Sequence, residues 1–246
     1  MILEGFLMLA TLYLSRSRKE RLKRPYELFI DTYTNKIEPQ FLNIEQEAKK
    51  ISEEYYNELG KYFNPEFDDP EYYAELAWEK GIDYYEGISL MKYNTKMMWI
   101  STVYQFWEQQ VRRFLYDEIS NTHEFYDNKE NKIGYKDFCS NGINDIKSEF
   151  IWFDYNLELK SSWKEINELR LLSNVIKHGD GRSAKQLQKL KPEYFQDESK
   201  INRLELYKTT LNDEVLNIGQ EDFVRYCKSL IEFWEEIPEY LYSTTE

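Results

Sequence analysis

Apolar side chains recur every three or four positions along most of this 246-residue chain, with charged residues between them. This spacing places the apolar groups on one face of an α-helix. The pattern covers residues 43–63, 94–119, 163–178 and 220–240, and a further helix is predicted from Pro70 to about Lys80. Over 94–119 large apolar residues repeat every four positions (Trp99, Val103, Trp107, Val111, Leu115). We therefore predict an all-α protein built as a helical bundle.

Shorter stretches give less regular patterns. Residues 136–156 predict a short helix, and Ser183 is expected to cap a basic helix over 184–190. Residues 203–218 alternate enough to suggest one extended strand or hairpin. The polar interval 121–135 predicts a loop, in which His123 is expected to be solvent-exposed.

Composition supports long helices over many short strands. Aromatic residues make up 17% of the chain, whereas there are only 9 Gly and 6 Pro to form turns. We predict an N-terminal helical region over residues 1–90 and a helical bundle over 91–246, and one continuous domain remains an alternative.

The net charge of −13 means that the molecule as a whole repels polyanions, so nucleic acid could bind only at a local basic patch. Two such patches occur. Residues 16–24 carry a net charge of +5, and residues 170–191 also carry +5.

The N-terminal apolar run, residues 5–14, is about half the length that spans a bilayer. The basic residues follow it, which is the wrong order for a secretory signal. A surface anchor and a helix packed on the rest of the protein or on a second subunit both remain open. Cys139 and Cys227 lie far apart, which favours a reducing compartment. We expect a cytoplasmic protein without an integral membrane span.

Candidate chemistry concentrates on the helix over 163–178, which ends before Gly179 and Gly181. With Arg170 at about 0° on a helical wheel, Asn174 lies near 40°, Lys177 near −20° and His178 near 80°. Leu169, Leu172, Val175 and Ile176 fall on the opposite side. The polar face could bind a phosphodiester, because Arg grips phosphate oxygens and His exchanges protons near neutral pH.

Two other interpretations need no such chemistry. Lys177 and His178 would favour a helix C-terminus through its dipole alone, with Gly179 as a left-handed stop. A metal-assisted hydrolase could use Glu53, Glu54 and Glu58, or Asp68 and Asp69. There is no phosphate-binding glycine loop, serine elbow or redox pair in the sequence, and we predict no cofactor and no metal.

The aromatic helix over 104–115, followed by Arg170, Asn174 and Lys177-His178-Gly179, resembles the HEPN group of prokaryotic helical proteins. These are commonly dimeric up-down bundles, and many are metal-independent RNases of toxin-antitoxin and anti-phage systems. Their active site is an Arg followed by four to six residues and a His, completed across a dimer interface. Here seven residues intervene, and Leu171 follows Arg170 where the family has a polar residue.

The resemblance implies that His178 is the acid/base on a ribose 2′-hydroxyl and that Arg170 stabilises the phosphate charge. Asn174 and Lys177 would support RNA binding, and the basic patch adds Arg182 and Lys185. The expected state is a homo-oligomer or a subunit of a larger defence complex. The alternative is a non-catalytic helical subunit that docks a partner protein or nucleic acid, which the many Tyr and Trp residues fit equally well.

Overall fold

The computed structural model describes residues 10–126, 131–139, 142–196 and 200–244. Its α-helices are α1 (Arg16–Thr32), α2 (Ile44–Gly60), α3 (Pro70–Ile119), α4 (Tyr135–Phe138), α5 (Ile143–Trp152), α6 (Trp163–His178), α7 (Arg182–Leu190), α8 (Arg203–Tyr207) and α9 (Gln220–Glu236). Strands β1 (Thr11–Tyr13) and β2 (Tyr240–Tyr242) form a small antiparallel sheet, with Leu12 opposite Leu241. The prediction of an all-α bundle is confirmed.

The helices predicted from Pro70 and over 94–119 are parts of one 50-residue helix, α3. Its start is as expected, because the Asp69 side chain accepts a hydrogen bond from the Glu71 amide and Pro70 needs no donor partner. The helix continues through Gly81, where α2 packs so closely that an added Cβ would lie 3.0 Å from the Ala48 carbonyl oxygen. Helix α3 also runs through position 90, the predicted boundary between an N-terminal helical region and a helical bundle. That division stays a prediction.

The core forms around the C-terminal half of α3, which packs against α6, α9 and α1. The hydroxyls of Ser101 and Ser173 lie 3.1 Å apart, and the rings of Trp107 and Trp163 have centroids 6.5 Å apart. Residue numbers thus rise along α3 as they fall along α6, so the two helices are antiparallel. Burial of these aromatic side chains supplies the main driving force for assembly.

The N-terminal apolar run is not helical where the structure describes it. Residues 5–9 of that run lie outside the described residues, whereas Ala10, Leu12 and Leu14 are buried and Tyr13 is exposed. This alternation is that of a strand with one face on the core. None of the described helices is long and apolar enough to cross a membrane.

The sheet does not lie at 203–218, where a strand or hairpin was expected. Residues 203–207 form α8, and the following residues up to Gly219 have no regular structure. The prediction was wrong there because the polar groups of this segment bond to α3 and α6 instead of to a neighbouring strand.

Three smaller predictions also need correction. The stretch 136–156 holds two short helices, α4 and α5, and α7 begins at Arg182 after Gly181 instead of after Ser183. His123 is half-buried, because its ring packs edge-on against Trp152 with centroids 5.2 Å apart. Residues 127–130 of the predicted loop lie outside the described residues.

Candidate functional site

Helix α6 begins and ends at the residues predicted from its periodicity, Trp163 and His178. Its apolar face is buried, and its other face carries the candidate residues. Arg170 and Asn174 are half-buried there, whereas Lys177 and His178 at the end of the helix are exposed.

Arg170 lies in a polar cluster between α6 and α3. Its guanidinium donates from Nε and Nη2 to Asn167 Oδ1, at 3.2 and 2.9 Å. Burial, followed by the charge of Glu108, raises the pKa of Tyr104, and the charge of Arg170 opposes that rise. Glu108 accepts hydrogen bonds from Tyr104 at 3.3 Å and from Arg112 at 3.1 Å. Arg170 is thus held by the side chain of Asn167, one turn earlier on the same helix.

The turn after His178 requires glycine. Gly179 has φ 67° and ψ −142°, a conformation that L side chains rarely adopt, and its amide donates to the Val175 carbonyl at 2.8 Å. An added Cβ would lie 2.6 Å from the Lys208 carbonyl oxygen, which also accepts a hydrogen bond from the Asp180 amide at 3.1 Å. Gly179 stops the helix as predicted, but its ψ is not that of the left-handed helical conformation.

A distant segment caps the C-terminus of α6. The buried Thr210 hydroxyl lies 3.2 Å from the Val175 carbonyl oxygen and 2.9 Å from that of Ile176. The Thr210 carbonyl in turn accepts from the Tyr93 hydroxyl at 2.8 Å, and Asn94 donates to the next carbonyl, that of Leu211, at 2.9 Å. Carbonyls at the helix end therefore find partners without the side chains of Lys177 and His178.

Helix α7 continues the basic surface. It buries Ala184 and Leu187, and it exposes its cations. Within the described ranges, no ion pair involves the exposed basic residues of this region, which we call the α6–α7 surface (Lys177, His178, Arg182, Lys185 and Lys189). Asp180, the acidic residue between the helices, pairs with Lys208 at 3.9 Å. This surface therefore carries uncompensated positive charge on a protein whose net charge is −13.

The structure brings some of the predicted residues together and separates others. His178, Lys177, Arg182 and Lys185 all lie at or beyond the C-terminal end of α6. Arg170 lies eight residues earlier, about 12 Å along the helix axis from His178.

Sequence reasoning missed a buried polar network around Glu168. One carboxylate oxygen of Glu168 accepts from Arg225 Nη2 at 2.6 Å and from the Tyr226 hydroxyl at 2.7 Å. Tyr194 donates to Asp222 at 2.7 Å and accepts from Arg225 at 2.8 Å. Burial, followed by the neighbouring Tyr194 and Glu168, raises the pKa of Tyr226, so its hydroxyl stays protonated and donates. Glu168 lies in the middle of the apolar face of α6, and a carboxylate at that position could have predicted the buried polar network.

The carboxylates considered for a metal site are surface residues. Glu53 and Glu54 face Lys49 and Lys50 one turn earlier on α2, at 3.8 and 3.6 Å. Over the described ranges, no three His, Cys, Asp or Glu side chains converge closely enough to hold a metal ion.

Comparison with protein-family models, with curated proteins and with solved structures finds no match. The likeness to HEPN proteins therefore remains a prediction from the residues.

Proposed function

We propose that this protein binds RNA through the α6–α7 surface and cleaves it without a metal ion. The observation that supports the proposal is the set of exposed basic side chains on α6 and α7 that have no ion-pair partner in the described part of the chain. Such cations neutralise backbone phosphates and release counterions, which is the main source of affinity for nucleic acid. An acidic protein would direct RNA to its basic surfaces, and the α6–α7 surface is the one that carries the predicted site residues.

The proposed reaction is attack of a ribose 2′-oxygen on the adjacent phosphorus. His178 takes the 2′-hydroxyl proton, the bond to the 5′-oxygen breaks, and that oxygen leaves as a hydroxyl after taking a proton from water. The products are a 2′,3′-cyclic phosphate end and a 5′-hydroxyl end. Arg170 stabilises the phosphate charge, and Asn174 and Lys177 hold the backbone.

The reaction is tested by incubating purified protein with single-stranded RNA in EDTA and identifying the new ends. We expect cleavage by the wild type and none by His178→Ala, because no other group would take the proton. His123→Ala is the matched control, since it removes the other histidine of the chain and should leave cleavage unchanged. Cleavage that persists in His178→Ala refutes the assignment.

Binding is tested separately with the inactive His178→Ala protein as background. Adding Arg182→Glu and Lys185→Glu should weaken RNA binding and reduce its salt dependence, because phosphate contacts are lost. Lys49→Glu with Lys50→Glu is the control, because these two lysines lie near carboxylates on α2. This double change should alter the RNA affinity little. Equal affinities for both double variants would show that RNA binds elsewhere.

The second candidate is a non-catalytic helical subunit that docks a partner. Exposed aromatic residues on α2, α3 and the turn between them favour it, with Phe67 83% and Trp78 62% exposed. A prokaryotic defence or toxin setting is proposed for both candidates, and it rests on the resemblance alone. Binding of RNA by wild-type protein without any cleavage would favour this second candidate.

A further inference from the structure

Helix α2 and the first part of α3 form a hairpin that stands outside the core. Among the described elements, α3 is the main packing partner of helix α2. No residue between 44 and 92 belongs to the hydrophobic core cluster, which on α3 begins at Tyr93. We call residues 44–90 the acidic hairpin.

The acidic hairpin holds most of the negative charge of the protein. It contains thirteen acidic and four basic residues, a net charge of −9 out of −13 for the whole chain. It also exposes large apolar side chains around its tip, Tyr62 (78%), Phe67 (83%), Tyr72 (56%) and Trp78 (62%). Exposed aromatic groups among carboxylates are typical of a surface that binds a partner with basic side chains.

The charges on α3 point away from α2. Ala77 and Gly81 are buried, and Gly81 packs against α2. At about 100° per residue, Glu75, Glu79 and Glu86 lie on the opposite face of the helix. This outer face is therefore open to a partner along three turns.

The chain itself carries a complementary surface. The α6–α7 surface has exposed cations, and Leu190 at the end of α7 is 54% exposed beside them. Within one molecule, no ion pair between described residues joins the acidic hairpin to the α6–α7 surface. The basic helix α1 also exposes Arg16, Arg21 and Arg24. It is a weaker candidate because it exposes three carboxylates as well (Glu20, Glu27 and Asp31), and because Arg18 pairs with Glu118, and Lys23 with Glu20 and Glu235.

We propose that the acidic hairpin of one copy docks on the α6–α7 surface of a second copy. Two such contacts related by a two-fold axis close a symmetric dimer, in which each copy offers both complementary surfaces. Carboxylates of α3 face the cations of α7, and Arg182 can stack on the exposed aromatic rings. Opposite charges and aromatic rings hold this dimer together, so its formation does not depend on whether the same surface binds RNA. Because hairpin and RNA use the same cations, each excludes the other.

The test measures mass in solution by light scattering or sedimentation equilibrium at low and high salt. We expect a dimer at low salt that dissociates as salt screens the opposite charges. Glu75→Lys with Glu79→Lys should give a monomer, and so should Lys185→Glu with Lys189→Glu, since like charges then face each other in both proteins.

The decisive measurement is a mixture of the two double variants. Both contacts of a mixed dimer join opposite charges, so a one-to-one complex should form, and its formation shows that each variant is folded. Glu27→Lys with Asp31→Lys makes the same charge change one turn apart on exposed positions of α1 and should leave the dimer intact. A monomeric wild type at low salt, a dimer that tolerates the reversals, or a mixture that stays monomeric overturns the proposal.

Discussion

Gly179→Ala tests whether the turn that presents His178 depends on contact with a distant segment. Gly179 combines φ 67° with ψ −142°, and its α-carbon lies against the Lys208 carbonyl, which an added Cβ would approach to 2.6 Å. The contact atom belongs to the backbone, so no side-chain rotation relieves it. Either the turn or the segment at 208–210 must move.

The expected cost has two parts. Holding a non-glycine residue in so sparsely populated a region costs about 1–3 kcal/mol. Displacing Lys208 also breaks the hydrogen bond from the Asp180 amide, worth about 0.5–1.5 kcal/mol. We expect a total loss of about 3 kcal/mol, which for a chain of this size lowers Tm by about 6–12 °C.

The assay is urea unfolding followed by circular dichroism, in parallel with a thermal scan. The midpoint should fall while the slope of the free energy of unfolding with urea stays the same. Gly87→Ala is the control, because Gly87 is exposed within α3 and an added Cβ there meets nothing within 4 Å. It should raise stability by about 0.5–1 kcal/mol. A Gly179→Ala protein as stable as the wild type would refute the reasoning, and so would equal effects at both glycines.

Two further predictions concern a buried carboxyl group, that of Glu168, and a half-buried one, that of Glu149. Glu168→Gln should cost about 2 kcal/mol in urea unfolding, since it removes the charge that binds Arg225, whereas Glu158→Gln in a surface ion pair should cost under about 0.5 kcal/mol. Burial, with a smaller contribution from Asp145, raises the pKa of Glu149 from 4.5 to about 7, so the folded protein holds this proton more tightly than the unfolded chain. This stabilisation is complete below pH 4.5 and is lost as the pH rises through about 7, and Glu149→Gln should remove that part of the fall in Tm.

Each of these two predictions has an outcome that would contradict it. A Glu168→Gln protein no less stable than Glu158→Gln would mean that the charge of Glu168 contributes nothing to the buried network. A fall of Tm between pH 5 and 8 that is the same in wild type and Glu149→Gln would assign the pH dependence to other groups.

Helix α6 shows how far local pattern suffices. Its period and its glycine stop lie within its own sequence, and both ends were predicted from them. The exposed cations of α7 were likewise expected, because charged residues at helical spacing usually face solvent.

The segment 203–218 shows where local pattern fails. Alternating residues suggested a strand, but no strand in the described part of the chain pairs with this segment, and Thr210 instead caps α6. Its anchor is Tyr93, which lies 117 residues earlier, so the local sequence holds no sign of the contact. The partner of Glu168 was hidden in the same way, because Arg225 lies 57 residues further along the chain.

The sequence by itself determined the long helical stretches in α2, α3, α6 and α9, the acidity of residues 44–90 and the basicity of residues 170–191, because periodicity and charge are properties of neighbouring residues. Only the tertiary structure decided which cations remain without ion-pair partners, how α6 is capped and that the acidic hairpin lies outside the core. These depend on groups far apart in sequence, which only the packed fold brings together.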